Sequence, residues 1–135
     1  MTQENKELLL KDLCARLPYK VIVSYAYNAF NVRNGRYVKR ESKYILDCDL
    51  LDVFISPRLN EKEEYIKPYL FPLSSMTEEQ KEEYCSLQQK VIYNNKGLVN
   101  SDVMEYVNWC YKNHIDINNL IPKGLAIDAT GLNIY

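Results

Sequence analysis

Pro68 and Pro72 stand four residues apart in the stretch Ile66-Lys67-Pro68-Tyr69-Leu70-Phe71-Pro72-Leu73-Ser74-Ser75-Met76-Thr77-Glu78-Glu79-Gln80, and they restrict the fold more than any other feature of the chain. Each ring fixes φ and removes a backbone donor. Lys67 to Leu73 is therefore expected to run extended, as an edge strand or a buried crossing, and not as a helix or a central strand. A helix then begins abruptly. Thr77 followed three residues later by Gln80 is a capping-box pattern, in which the hydroxyl takes an orphan N–H of the first turn and the Gln side chain reaches back to the Thr77 amide. Glu78 and Glu79 favour the positive end of the same helix. The stretch thus divides a tyrosine-rich, β-patterned first half from a helical second half.

Before it, Leu10, Leu13, Cys14 and Leu17 recur at i, i+3, i+4 and i+7, with Leu9 widening the stripe, which predicts a helix over 3–16 ended by Pro18. From Tyr19 to Asn28, Val21, Val23, Tyr25 and Tyr27 alternate with Ile22, Ser24, Ala26 and Asn28, the period of a strand. Asn34-Gly35 predicts a type I′ hairpin turn, since both central residues of that turn need φ > 0. Arg36 to Arg40 is then the returning strand, Lys43 to Asp47 its continuation or a third strand, and Leu50 to Ser56 another, closed by Pro57. Asn60 to Glu64 reads as an exposed connection.

After the prolines, the helix from Thr77 is expected to bury Tyr84, Leu87 and Val91, flanked by Cys85 and Ile92, and to end near Gly97. Asn100 or Ser101 caps a third helix striped by Val103, Tyr106, Val107 and Cys110. Asp116 caps a short turn through Leu120, Leu125-Ala126-Ile127 forms a closing strand, and Thr130 to Asn133 is a loose tail. The expected fold is α+β in a single compact domain over 1–135: a twisted antiparallel sheet with an N-terminal helix and two C-terminal helices packed on one face. Its core is expected to contain Leu10, Leu13, Leu17, Val21, Val23, Val53, Ile55, Leu87, Val91, Val103, Val107 and Cys110.

A chain of 135 residues is about one domain long. With 17 basic and 18 acidic residues it has no global field to recruit nucleic acid or an anionic membrane, so any such binding must come from a local patch. No apolar run is long enough to span a membrane, and Met1-Thr2-Gln3-Glu4-Asn5-Lys6 lacks a leader pattern; a cytoplasmic setting is the expectation. Cysteines at 14, 48, 85 and 110 fit neither zinc-ligand spacing nor a disulfide framework, and are expected as buried free thiols. Tyrosine is the outlier, at 12 residues against 3 Phe and 1 Trp. A ring with one polar end suits half-buried sheet faces and binding surfaces alike.

The segments Lys6-Glu7-Leu8-Leu9-Leu10-Lys11-Asp12-Leu13-Cys14-Ala15-Arg16-Leu17-Pro18-Tyr19, Lys67-Pro68-Tyr69-Leu70-Phe71-Pro72-Leu73-Ser74-Ser75-Met76-Thr77-Glu78-Glu79 and Leu120-Ile121-Pro122-Lys123-Gly124-Leu125-Ala126 together resemble a family of short uncharacterised proteins of gut Bacteroidales genomes and their prophages, phages and mobile elements. The resemblance implies no activity and carries over no functional residue; it implies the setting of a small accessory gene product. Lys20 stands where a glycine is expected after Leu-Pro-Tyr.

A single histidine removes most histidine-based catalytic and metal schemes. Cys110, His114 and Asp116 offer at most three ligands where a closed zinc site needs four, and Cys110 already completes an apolar stripe. Asp47, Asp49 and Asp52 could hold Mg²⁺ only with ligands converging from elsewhere. Ser74-Ser75 lacks a nucleophile elbow, and glycines at 35, 97, 124 and 131 make no phosphate loop. No catalytic residue, metal or cofactor is expected.

The exception to this blandness is the hairpin. Arg33, Arg36, Lys39, Arg40 and Lys43 oppose one carboxylate, Glu41, and are interleaved with Tyr37 and Tyr44. Guanidinium groups and tyrosines on a twisted ribbon can hold phosphates and stack bases, with Arg33, Arg36, Tyr37, Arg40, Lys43 and Tyr44 as the candidate ligand-binding residues. The plainer alternative is a solvated hairpin whose charges guard its edges. The expected function is that of a small non-enzymatic binding protein of a phage or mobile element, acting on a host protein or as a regulator. The alternative is a nucleotide-binding protein that sequesters a host defence signal through the hairpin, an anti-defence role. A metal-dependent enzyme built on the carboxylates is a third reading, and homo-oligomerisation is left open.

Overall fold

The computed structural model describes residues 1–56, 64–93 and 100–135. Helix α1 (Gln3–Arg16) starts where the Thr2 hydroxyl accepts a hydrogen bond from Asn5 N and gives way to a 3₁₀ turn, Leu17–Tyr19, at Pro18. Its buried face differs from the expected stripe: Leu9, Asp12, Leu13 and Arg16 are buried, Leu10 and Leu17 pack only partly against the core, and Cys14 is exposed. Asp12 and Arg16, one turn apart, neutralise each other and so can face inward, which apolar periodicity alone does not register.

Lys20 has φ 54 and ψ 43, in the left-handed region that favours glycine. Lys20→Gly should therefore stabilise the protein by about 0.5 kcal/mol, the relief of left-handed strain less the entropy cost of glycine, as checked by urea midpoint.

Strands β1 (Ile22–Asn31) and β2 (Arg36–Ile45) pair antiparallel from Ile22↔Ile45 to Asn31↔Arg36. Residues 43 to 45 are the continuation of β2 and not a third strand. The connection is a four-residue loop, 32–35, instead of a type I′ turn: Gly35 has φ 65, and Asn34 is not left-handed. Two asparagines hold the longer loop, with Asn31 Oδ1 accepting from Arg33 N and Asn34 Oδ1 from Arg36 N, each at 3.0 Å.

The expected strand over 50–56 is helix α2 (Cys48–Ile55). The Asp47 carboxylate caps it, accepting from Leu50 N at 2.9 Å, and Asp49 lies in its first turn. Local capping overrides the β-branched composition here, burying Leu51 and Phe54 three residues apart and leaving Ile55 exposed, which removes Ile55 from the core.

Strand β3 (Tyr65–Leu70) contains Pro68 and pairs antiparallel with β1, from Val23↔Pro68 to Ala26↔Tyr65. Strand β4 (Ile127–Asp128) runs parallel to β3 at Tyr69↔Ile127 and Leu70↔Asp128, giving the order β2-β1-β3-β4. The sheet is thus antiparallel through β3 with a short parallel addition. The prolines do not put β3 at the outermost position, because β4 starts pairing one residue beyond Pro68.

Helices α3 (Glu78–Tyr93) and α4 (Asn100–Lys112) complete the α+β fold. The capping box forms in both directions, Gln80 N to Thr77 Oγ1 at 3.2 Å and Thr77 N to Gln80 Oε1 at 3.1 Å. Thr77→Ala should cost about 1 kcal/mol in equilibrium unfolding, and an unchanged melting temperature would remove the cap from the account.

The core joins Leu9 and Leu13 of α1, Val21 just before β1 and Val23 within it, Leu51 and Phe54 of α2, Ile66 and Leu70 of β3, and Leu120, Leu125 and Ala126. Helices α3 and α4 mainly hold each other, through Tyr84 Oη to Tyr106 Oη at 2.9 Å and Trp109 Nε1 donating to Glu83 at 2.8 Å. Among their described residues Leu87 and Cys110 are buried, while Val91, Val103 and Val107 are half-buried and Ile92 is exposed. The expected helix end at Gly97 and most of the Asn60 to Glu64 connection lie outside the described residues, while the backbones of Asn100 and Ser101, the expected caps of the third helix, form the first turn of α4. Nor is the tail loose: the Tyr135 hydroxyl accepts from Ile22 N at 2.9 Å and donates to Tyr69 O at 2.8 Å, wedged into the β1–β3 ladder.

Candidate functional site: the outer face of the sheet

Side chains alternate across a strand, and paired residues of neighbouring strands share a face. The register therefore sorts the hairpin in two. Arg36, Arg40 and Tyr44 lie opposite Asn31, Tyr27 and Val23, on the side whose lower half is packed by α1 and α2. Tyr37 and Lys43 lie opposite Phe30 and Ser24 on the other, outer face, together with Lys39 opposite Asn28. Arg33 is in the loop. The six candidate residues are all exposed, but they are not one cluster.

What sequence reasoning missed comes from β3. Ser24↔Lys67 and Ala26↔Tyr65 bring Lys67 and Tyr65 to the outer face. There the ammonium of Lys39 lies 5.5 Å from the Tyr65 ring centroid, that of Lys67 lies 4.7 Å from the same ring, and that of Lys43 lies 5.7 Å from the Tyr69 ring. Each ring quadrupole holds a cation without neutralising it. At the loop end Phe30 and Tyr37, 55% and 73% exposed, pack edge to face with centroids 5.3 Å apart.

Glu41, the only carboxylate of β2, is exposed on this same face but bonded to Ser24. Its Oε1 accepts from the buried Ser24 hydroxyl at 2.6 Å, and this bond, aided by Tyr65 and the nearby Lys39 and Lys67, holds its carboxyl below the usual range. Burial, then the bond to Glu41, pushes the Tyr65 phenol up. Among the described residues Lys39, Lys43, Lys67, Arg33, Arg36 and Arg40 make no ion pair.

The remaining constellations resolve into structure. The Asp116 carboxylate accepts from Leu120 N at 2.8 Å and Ile121 N at 2.9 Å, the cap its sequence position predicts. Cys110 is buried and its thiol is pushed up to about 11 by desolvation; Cys14, Cys48 and Cys85 are exposed, against expectation. Ser75 Oγ donates to Pro72 O at 2.8 Å. Among the described residues no three His, Cys, Asp or Glu side chains converge as a metal cluster, and no helix is long and apolar enough to cross a membrane. Comparison with protein-family models, with curated proteins and with solved structures returned no match.

Proposed function

We propose that this chain is a binding protein that holds a nucleoside phosphate, free or within a single strand, on the outer face of the β1–β2–β3 sheet. One observation carries the reading: three ammonium groups that make no ion pair among the described residues stand over tyrosine rings on one face, where the single β2 carboxylate is bonded to Ser24. Lysines supply contacts to phosphate, and the exposed Phe30–Tyr37 pair supplies a surface on which a base stacks. The same chemistry supports the alternative role expected from the sequence, sequestration of a host nucleotide signal. The setting in a phage or mobile element belongs to this proposal.

The test is fluorescence anisotropy at low salt with a labelled eight-nucleotide oligothymidine and, separately, a labelled ATP analogue. The double variant Lys39→Glu/Lys43→Glu should weaken binding about tenfold or more, equivalent to roughly 1.4 kcal/mol, and Arg36→Glu/Arg40→Glu should weaken it less. If the oligonucleotide binds, the slope of log affinity against log salt should flatten by about 1.4, roughly 0.7 for each phosphate that a lysine no longer neutralises. Oligothymidine binding without ATP binding would choose a strand, and the reverse a free nucleotide. Equal weakening by both double variants would mean a diffuse field and not a face. Binding to neither probe, with a protein co-purifying from the host, would replace this reading with that of a protein-binding module.

A further inference from the structure

Glu41 stands where a site for phosphate alone has no use for it. Along the outer face of β2 the side chains run Tyr37, Lys39, Glu41, Lys43, each about 6.8 Å from the next, twice the rise of an antiparallel strand. The carboxylate between the two lysines is exposed. It is also fixed: its Oε1 takes the Ser24 hydroxyl at 2.6 Å, and that bond, with Tyr65 and with Lys39 and Lys67 nearby, keeps it ionised at neutral pH.

Ser24 is fully buried, but one hydroxyl occupies only part of a carboxylate, which has about four lone-pair sites on its two oxygens. With Tyr65 counted as well, acceptor capacity remains and faces solvent among the lysines. Glu64, the other carboxylate beside this part of the sheet, accepts from Asn28 N at 3.2 Å, and its charge bears on Tyr25 of the opposite face.

A phosphate is repelled at Glu41 and attracted one pleat to either side of it. Those places are Lys39, which shares the Tyr65 ring with Lys67, and Lys43, over Tyr69. Phe30 and Tyr37 lie two pleats from Glu41, about 14 Å along the strand, so one base cannot meet both the rings and the carboxylate. The row therefore runs stacking surface, phosphate site, acceptor of N–H groups, phosphate site. An extended single strand with its bases splayed offers base, phosphate, base and phosphate in that order.

Resting on the nucleoside-phosphate reading above, we infer that the outer face takes a single strand of nucleic acid and that Glu41 selects guanine at the step between Lys39 and Lys43. Guanine presents two adjacent donors, N1–H and the N2 amino group, to the carboxylate, which makes a bidentate charge-assisted pair. Adenine and cytosine offer one amino group beside a ring acceptor. Thymine and uracil offer one N–H between two carbonyls, which a carboxylate repels.

The experiment is fluorescence anisotropy at low salt with three labelled eight-nucleotide strands: oligothymidine, and the same strand with one central guanine or one central hypoxanthine, which lacks the N2 amino group. Their phosphate charge is equal, so only the base differs. The guanine strand should bind about tenfold tighter than oligothymidine, with the hypoxanthine strand between them. Glu41→Gln keeps a carbonyl for the Ser24 hydroxyl and removes the charge. Oligothymidine should then bind tighter, and the preference for guanine should shrink several-fold. A carboxylate that serves only Ser24, or only repels, would shift all three strands by one factor and leave their ratios unchanged, which would overturn the inference. So would equal binding of the three strands by the unaltered chain. GTP held as tightly as the guanine strand, or held when no strand binds, would overturn the single-strand assignment and leave the nucleoside-phosphate reading standing. Binding of neither GTP nor any strand would remove that reading and this inference with it.

Discussion

Arg16→Ala should lower the unfolding free energy by about 3–5 kcal/mol, the cost of leaving a buried charge without its partner. Arg16 is fully buried, donating to the Asp12 carboxylate at 2.5 and 3.1 Å and to Ile115 O at 2.7 Å, with its guanidinium 4.8 Å from the Tyr111 ring. Without it Asp12 would still accept from the side chain of Asn118, whose Nδ2 lies at 2.8 Å, but would face no cation. The bond to Ile115 O also ties α1 to the segment after α4, where Phe71↔Ile115 joins that segment to the end of β3. Urea unfolding at neutral pH measures the loss. Replacing both partners by leucine should cost less than Arg16→Ala alone, because no uncompensated charge then remains. A loss under about 1 kcal/mol for Arg16→Ala would show that water reaches Asp12 and that the pair behaves as a surface pair.

Acidification should destabilise the protein through its only histidine. Burial, helped by Arg16, pushes the His114 imidazole down from 6.5 to about 4. Its ring stacks on Tyr135 with centroids 3.8 Å apart, and its Nδ1 is buried without a hydrogen-bond partner. Because the folded pKa lies below the unfolded one, the unfolded chain binds the extra proton first. The neutral ring's contribution is then fully present above pH 6.5 and is lost as pH falls towards 4, on the order of 3 kcal/mol across that window. Glu41 and Asp128 also have lowered carboxyl pKa values and add their own loss at lower pH. The comparison must therefore be with His114→Asn, which tolerates the left-handed backbone at φ 59 and keeps those carboxylates. Its stability should vary less between pH 6.5 and 4 than that of the parent. Parallel curves would mean that His114 is protonated equally in the folded and unfolded chain.

The prolines and Thr77 do at sequence level what local chemistry allows. A fixed φ, a missing donor and a hydroxyl three residues from a glutamine act within one turn, so the extended stretch and the capping box are legible without the fold. Asp47 carries the same kind of signal for α2, but β-branched Val53 and Ile55 read as a strand when propensity is weighed above the cap. The hairpin's alternation is likewise local, which is why the opposition of Lys39 to Arg36 and Arg40 follows from the sequence. What lies beyond any local rule is the company each face keeps. Lys67 and Tyr65 join Lys39 and Lys43 only because β3 returns to β1 in the register Ser24↔Lys67, after a long intervening stretch of chain. Long-range packing likewise buries Asp12 and Arg16 against Ile115. The sequence by itself determined periods, caps and breaks, since these depend on neighbours within about four residues. Tertiary structure alone decided which charges meet and which ion pair is dry, because those depend on register and burial between segments far apart in the chain.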